Sequence, residues 1–328
     1  MNYKPPFNIT PKIVNQISSI SELMASINVS NLNSSPQLRK LNRIKTITGT
    51  LAIEGNTLSL EQVTAIIDGK HILGSQREIA EVVGAIRAYD KLPEYDFTSI
   101  DELLDAHNLI MGEILTNAGK FRTGSVGIQK GEEVVHIAPP ADRVNFLIKD
   151  LLEWVDQTDH HPLIVSSVFH YEFEFIHPFI DGNGRMGRLW QTLILGNWNE
   201  VFYSLPLESV VKEKQEGYYK AFNEADITTE STVFIEFMLE SIEEVLHNSI
   251  SSDHVTDHVT DHVTDHVKKL LSIMDSNWMS RVEIMKELGL SHRETFRENY
   301  LLPAIGAELV VMKYPESPKS PKQKYKKL

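Results

Sequence analysis

Leu38, Leu41, Ile44, Ile47 and Leu51 recur at three- and four-residue steps, the spacing that aligns one face of an α-helix. Pro36 sits at a favoured first-turn position, so the pattern predicts a helix over residues 36–54 that Gly55 ends. Ser59 with Gln62 three residues on forms a capping box and opens a helix that reaches about Ile67 before Gly69. Helical patterns follow at residues 76–90 and 99–115. Between Gly119 and Pro140 the period shortens. Ser125-Val126-Gly127-Ile128 and Val134-Val135-His136-Ile137 flank Lys130-Gly131, which reads as a short β-hairpin closed by Pro139-Pro140. Helices resume over residues 141–155, 162–176, 186–198, 212–226 and 232–248. The predicted fold class is mainly α, a helical bundle carrying one β-hairpin.

From Asp253 to Val267 the unit Asp-His-Val, spaced by Thr, occurs four times, a low-complexity linker in place of a solenoid repeat. His254, His258, His262 and His266 would share a helix face and so allow a metal site, but a spacer or weak self-association element is the preferred reading. Beyond the linker, residues 269–274, 281–288 and 293–300 read as short helices and residues 308–313 as a strand. That order suggests a winged helix-turn-helix. The expected domains are an N-terminal helical region (1–98), a core (99–250), the repeat linker (251–267), a winged-helix domain (268–314) and a basic, disordered tail (315–328).

A chain of 328 residues, 41% hydrophobic and 23% charged, has the composition of a folded protein with two or three domains. No apolar run approaches the ~18 residues needed to cross a bilayer, and residues 1–10 have no apolar leader pattern. The expectation is a cytoplasmic protein with no membrane association. The absence of cysteine excludes disulfides, thiolate catalysis and Cys-ligated zinc. A net charge of -13 argues against a general nucleic-acid binder. Residues 268–328, however, hold 12 Lys and Arg against 7 Asp and Glu, so a mildly basic tail follows an acidic body.

Chemistry concentrates in Phe175-Ile-His-Pro-Phe-Ile-Asp-Gly-Asn-Gly-Arg-Met-Gly-Arg188. A residue before proline is pushed out of the α region, which puts His177, the evident base, at a helix end facing a loop. Gly182-Asn183-Gly184 presents backbone N–H groups ahead of a helix expected to open at about Met186, where the dipole favours phosphate. Arg185 and Arg188 add bidentate donors. Asp181 is placed to hold Mg²⁺ against the same phosphates, since that ion is commonly bound by one carboxylate plus phosphate oxygens.

The string fills every fixed position of the pattern His-x-Phe-x-Asp/Glu-Gly-Asn-Gly-Arg-x-x-Arg, and on it the chain resembles the Fic family, whose members are mostly protein adenylyltransferases. The resemblance implies that AMP passes from ATP to a Ser, Thr or Tyr hydroxyl of a protein target. It makes His177 the base, Asp181 the Mg²⁺ ligand, and Gly182, Asn183, Gly184, Arg185, Met186, Gly187 and Arg188 the phosphate cradle. Gly119-Lys-Phe-Arg122 and the hairpin resemble the family's docking flap. There the backbone of Glu133, Val134, Val135 and His136 would pair with an extended target segment and border the nucleotide. Tyr218 and Asp226 align with positions lining the adenosine pocket. Thr50-Leu-Ala-Ile-Glu54-Gly55 fits the family's inhibitory motif, in which Glu54 occupies Arg188 and so displaces the ATP γ-phosphate. Self-modification and a homodimer are further expectations of the resemblance. The tail permits DNA binding through residues 291–297. Two alternatives remain: a Fic enzyme that uses another nucleotide or removes AMP, and a winged-helix regulator with a mainly binding Fic domain.

Overall fold

Thr10 begins the first helix, α1 (Pro11–Ser26), by accepting the Ile13 amide on its hydroxyl at 3.2 Å. This helix is absent from the pattern reading, and its Ser and Asn residues are modest helix formers. Tertiary contacts hold it: Ile13 and Ile20 are fully buried, and Gln16 Nε2 donates to the Glu236 carbonyl at 3.0 Å. The computed structural model describes residues 3–26, 36–130, 133–254, 265–274, 277–290, 293–306, 309–314 and 323–327. It divides into two units, Met1–Asp253 and His254–Leu328.

In the first unit α2 (Pro36–Ile53), α3 (Leu60–Ile67), α4 (Gln76–Lys91) and α5 (Ile100–Met111) precede the hairpin strands β1 (Gly127–Lys130) and β2 (Glu133–Ile137). Then follow α6 (Val144–Gln157), α7 (Pro162–Ile176), α8 (Asn183–Trp198), α9 (Leu207–Glu213), α10 (Gln215–Thr228) and α11 (Thr232–His254). Every α7 residue but Pro162 and Phe175 is buried, the mark of a helix enclosed on all sides. One core joins Leu163, Val168 and Tyr171 of α7 to α1, α10 and α11. On its other side Val165, Phe169 and Phe173 meet α5, α6 and the Leu189, Trp190 and Leu193 face of α8. A third cluster, with Ile47, Leu51, Val63 and Val82, binds α2 to α3 and α4. The α7–loop–α8 segment thus sits on the most enclosed part of the unit.

Several boundaries move. The expected helix over residues 212–226 is two helices broken at Lys214, because Leu207, Val210 and Val211 are buried in α9 while Tyr218, Ala221 and Ala225 are buried in α10. Helix α8 opens at Asn183 instead of Met186, since Gly182 takes φ 86 and caps it. The helix expected over residues 99–115 ends at Met111.

In the second unit α12 (Asp265–Ile273), β3 (Met279–Ser280) and α13 (Arg281–Glu287) come first. α14 (Arg293–Phe296) runs through a π-helical turn (Arg297–Leu301) into α15 (Leu302–Gly306). β4 (Val310–Met312) and β5 (Lys324–Lys327) complete an antiparallel sheet in the order β3-β5-β4. The tail expected to be disordered therefore contributes the central strand over residues 324–327. Composition hid this, because β5 is lysine-rich and its one apolar anchor is Tyr325, buried against the local core. Of the repeat histidines, His258 and His262 lie outside the described residues, as do residues 315–322 of the tail. His266 stacks edge-to-face on Tyr300, with centroids 4.6 Å apart. Among the described residues no helix is long and apolar enough to cross a membrane.

Candidate active site

His177 caps α7 in the left-handed conformation, φ 50 and ψ 61, with its amide donating to the Phe173 carbonyl at 3.0 Å. Pro178 closes off the helical alternative for His177, and the left-handed well costs a non-glycine residue about 1–2 kcal/mol. The ring is therefore held at the helix end, where Nδ1 lies 4.0 Å from Glu174 Oε2.

Past the proline the loop is tied to itself. Asn183 Nδ2 donates to the Phe179 carbonyl at 3.0 Å and its Oδ1 accepts the Phe179 amide at 2.9 Å. Asn183 therefore shapes the loop with its side chain and can serve an anion only through its backbone. The Met186 amide is taken by Gly182 O at 3.0 Å and its side chain is fully buried. The amides of residues 183–185 are the ones that project beyond the first turn. His107 stacks on Phe179, centroids 3.6 Å apart. It accepts the Gly119 amide on Nδ1 at 2.8 Å, which leaves Nε2–H to donate to the Asp181 carbonyl at 3.0 Å. Burial draws its pKa down to about 4, against the pull of the Asp181 carbonyl, so the ring is neutral near pH 7. Sequence reading missed this support, which a buried histidine 74 positions away does not announce.

Arg188, 3% exposed, is held by α2. Its Nε donates to Thr50 Oγ1 and its Nη2 to Thr50 O, both at 3.1 Å, and Nη2 meets Glu54 Oε1 at 2.6 Å. Burial works against the Arg188 charge, but Glu54, Tyr218 and Glu174 more than offset it and raise its pKa. Gly184 faces this pair: a Cβ there would fall 2.4 Å from Glu54 Oε1 and 3.1 Å from Glu174 Oε1. No side chain fits between the cradle and the glutamate. Burial, then the Glu54 charge, pushes the Glu174 carboxyl up to about 8, with Arg188 opposing. Its Oε1 is buried without a hydrogen bond. The α2 end is itself fastened, since Lys212 Nζ donates to Ala52 O at 2.8 Å and Gln215 Nε2 to Ile53 O at 2.9 Å.

Arg185, 4% exposed, pairs with Asp181 Oδ1 at 3.0 Å and lies 3.6 Å from Glu81. Asp181 also accepts the Gly182 amide on Oδ1 at 2.6 Å and faces Arg77 at 3.3 Å on Oδ2. Among the described residues no group of three acidic or histidine side chains could cage a metal ion. The donor set fits Mg²⁺ held by one carboxylate, with phosphate oxygens supplying further ligands, and does not fit an ion held by protein alone.

The flap strands pair antiparallel, Gly127 with Ile137 and Lys130 with Glu133, with an irregularity between Ile128 and Gln129. The side chains of Glu133, Val134, Val135 and His136 lie outside the described residues. Tyr218 is 4% exposed, its hydroxyl 3.1 Å from His170 Nε2 and its ring packed edge-to-face on Phe234. It lies near enough to Arg188 to act on that charge. Asp226 is half-buried near the end of α10.

The first unit is thus a helical bundle in which His177, Asp181, a glycine turn and the buried guanidiniums of Arg185 and Arg188 share one helix–loop–helix crossing. Two family models match: Fic/DOC over residues 97–195 and the Fic-like C-terminal domain, named for filamentation induced by cAMP, over residues 265–327. The crystal structure of a Fic family protein from Desulfovibrio desulfuricans G20 is 48% identical, covers 99% of this chain and 98% of its own, and superposes with a TM-score of 0.75. The chain belongs to the Fic family. Protein adenylyltransferase fic-1 of Caenorhabditis elegans is 31% identical over 190 residues, 54% of this chain. Protein adenylyltransferase Fic of Aedes aegypti is 26% identical over 215 residues, 62% of this chain. The chain spans only 35% and 41% of the length of these two relatives.

Proposed function

We propose that the chain is a protein adenylyltransferase that moves AMP from ATP to a Ser, Thr or Tyr hydroxyl and is held in check by Glu54. The observation that carries the reading is the convergence, within residues 177–188, of the His177 ring, the projecting amides of residues 183–185 and the buried Arg185 and Arg188. The names of the C. elegans and A. aegypti relatives support the same activity.

The amides and guanidiniums would grip the phosphate chain and orient its α-phosphorus. His177 Nε2 would take the proton of the acceptor hydroxyl as its oxygen attacks that phosphorus. A new phosphorus–oxygen bond forms while the bond to the bridging oxygen breaks, and pyrophosphate leaves in line. Mg²⁺ bound through Asp181 would neutralise phosphate charge. The flap backbone at residues 133–136 would hold the acceptor segment as an added strand. Glu54 would act by taking the Arg188 donor that the γ-phosphate needs, which leaves ATP bound but misaligned.

Incubation of the protein and a cell extract with labelled ATP, UTP or CTP and Mg²⁺, followed by detection of protein-bound label, tests the reaction. Label from ATP alone that disappears in a folded His177→Ala variant is the expected result. Label retained by His177→Ala removes the assigned base, and label from UTP or CTP in preference to ATP overturns the nucleotide.

A further inference from the structure

A buried cation in the first unit takes no part in the motif mechanism. Arg122, in the loop between α5 and β1, is 2% exposed. Among the described residues no carboxylate lies within ion-pair distance of it, and its guanidinium is spent on four main-chain carbonyls. Nε donates to His177 O at 2.7 Å and Nη2 to Ile176 O at 3.2 Å. Nη1 donates to Gly124 O at 2.9 Å and Nη2 also to Pro139 O at 2.5 Å. The Arg122 amide adds a bond to Pro178 O at 2.9 Å.

These acceptors fall into two groups. Ile176, His177 and Pro178 are the end of α7 and the start of the catalytic loop, where the carbonyls have no partners in the helix and the dipole favours a cation. Gly124 and Pro139 are the two roots of the flap, three residues before β1 and two after β2. They are joined beside Arg122 by the Ala138 amide, which donates to Val126 O at 3.2 Å. One planar fork therefore fixes both roots of the flap to the backbone of the proposed base. Burial lowers the Arg122 pKa, a cost that dipoles alone offset and that an apolar hinge would not incur.

We propose that Arg122 is a positioning residue that sets the register of the flap against His177, so that a hydroxyl on a segment paired to β2 arrives at the ring. The left-handed His177 has an intrinsic preference for other conformations. Two donors on the carbonyls of Ile176 and His177 oppose its relaxation, and the same side chain carries any shift of the flap roots to the ring. Lysine could not replace it, since an ammonium is a point donor without the fork that spans both sides.

The inference rests on the AMP-transfer reading, and the Glu54→Gly chain with all other residues intact serves as its reference. If that reference and wild type both fail to transfer AMP, the function is wrong and Arg122 is not at issue. Where the reference transfers, Arg122→Lys and Arg122→Gln should each reduce AMP incorporation on the order of a hundredfold, the cost of a misplacement near 1 Å. ATP affinity by calorimetry should stay within about twofold, because residues 182–188 are untouched, and lysine should not rescue glutamine. Undiminished transfer overturns the proposal, and so does an ATP affinity that falls in step with transfer. A measurement without substitution covers variants that fail to fold. In the reference protein the amides of Ala138, Arg122 and His177 should exchange hydrogen in one cooperative opening with equal protection. A flap-root amide that exchanges a hundredfold faster than His177 shows that the two are not tied and overturns the proposal as well.

Discussion

Arg188 faces two carboxyl groups that differ in burial. Glu54 is half-exposed and closes on it at 2.6 Å, while Glu174 is 8% exposed and has its pKa pushed up to about 8 by burial and then by Glu54. A folded pKa above the unfolded value of about 4.3 means that the native state binds this proton more tightly. The stabilisation is full below about pH 4 and is lost as pH rises through about 8. Glu174→Gln should therefore flatten the decline of urea stability between pH 5.5 and 8.5, by on the order of a few kcal/mol at the alkaline end. Wild-type and variant curves that run parallel would show that the Glu174 proton is not linked to folding. Glu54→Gly tests the other carboxyl: AMP incorporation by intact-protein mass should rise strongly, Arg188→Ala should show no rise, and the double variant should stay inactive. Equal incorporation in wild type and Glu54→Gly would remove the inhibitory role of residues 50–55.

At the scale of elements, α2 matters through its last turn. Gly55 takes φ 90, and the amides of Gly55 and Asn56 donate back to Ala52 O at 3.2 Å and Leu51 O at 3.1 Å. This is a Schellman cap, and it aims Glu54 at α8. Gly55→Ala should cost about 1–2 kcal/mol through the left-handed backbone and raise AMP incorporation, because a loosened cap frees Glu54. Thermal melting paired with the incorporation assay checks both, and a destabilised variant with unchanged incorporation would separate the cap from inhibition. The start and stop signals at Pro36, Gly55 and Ser59 were legible because they are local chemistry, as was the hairpin. Helix α1 was not, since its polar face is satisfied by α11 more than two hundred residues along the chain.

At the scale of the whole molecule, His177, Asp181, Arg185, Arg188, Glu54 and Arg122 all fall within the first unit, which ends at Asp253. A chain cut after Asp253 should keep ATP-dependent self-modification at a rate within a few-fold of the full chain, measured by intact mass over time. A folded truncated protein without transfer would place part of the chemistry in residues 254–328. The motif, its helix–loop–helix setting and its family were determined by sequence alone, because spacing and proline and glycine chemistry act within a few residues. The pairing of Glu54 with Arg188 was expected from the family resemblance, and its 2.6 Å geometry came from the packing of α2 on α8. The buried proton of Glu174, the neutral His107 beneath Asp181, the central strand at residues 324–327 and the Arg122 tie were decided only by tertiary structure. Each depends on which surfaces meet across long stretches of chain, and on how little water remains between them, which residue spacing does not encode.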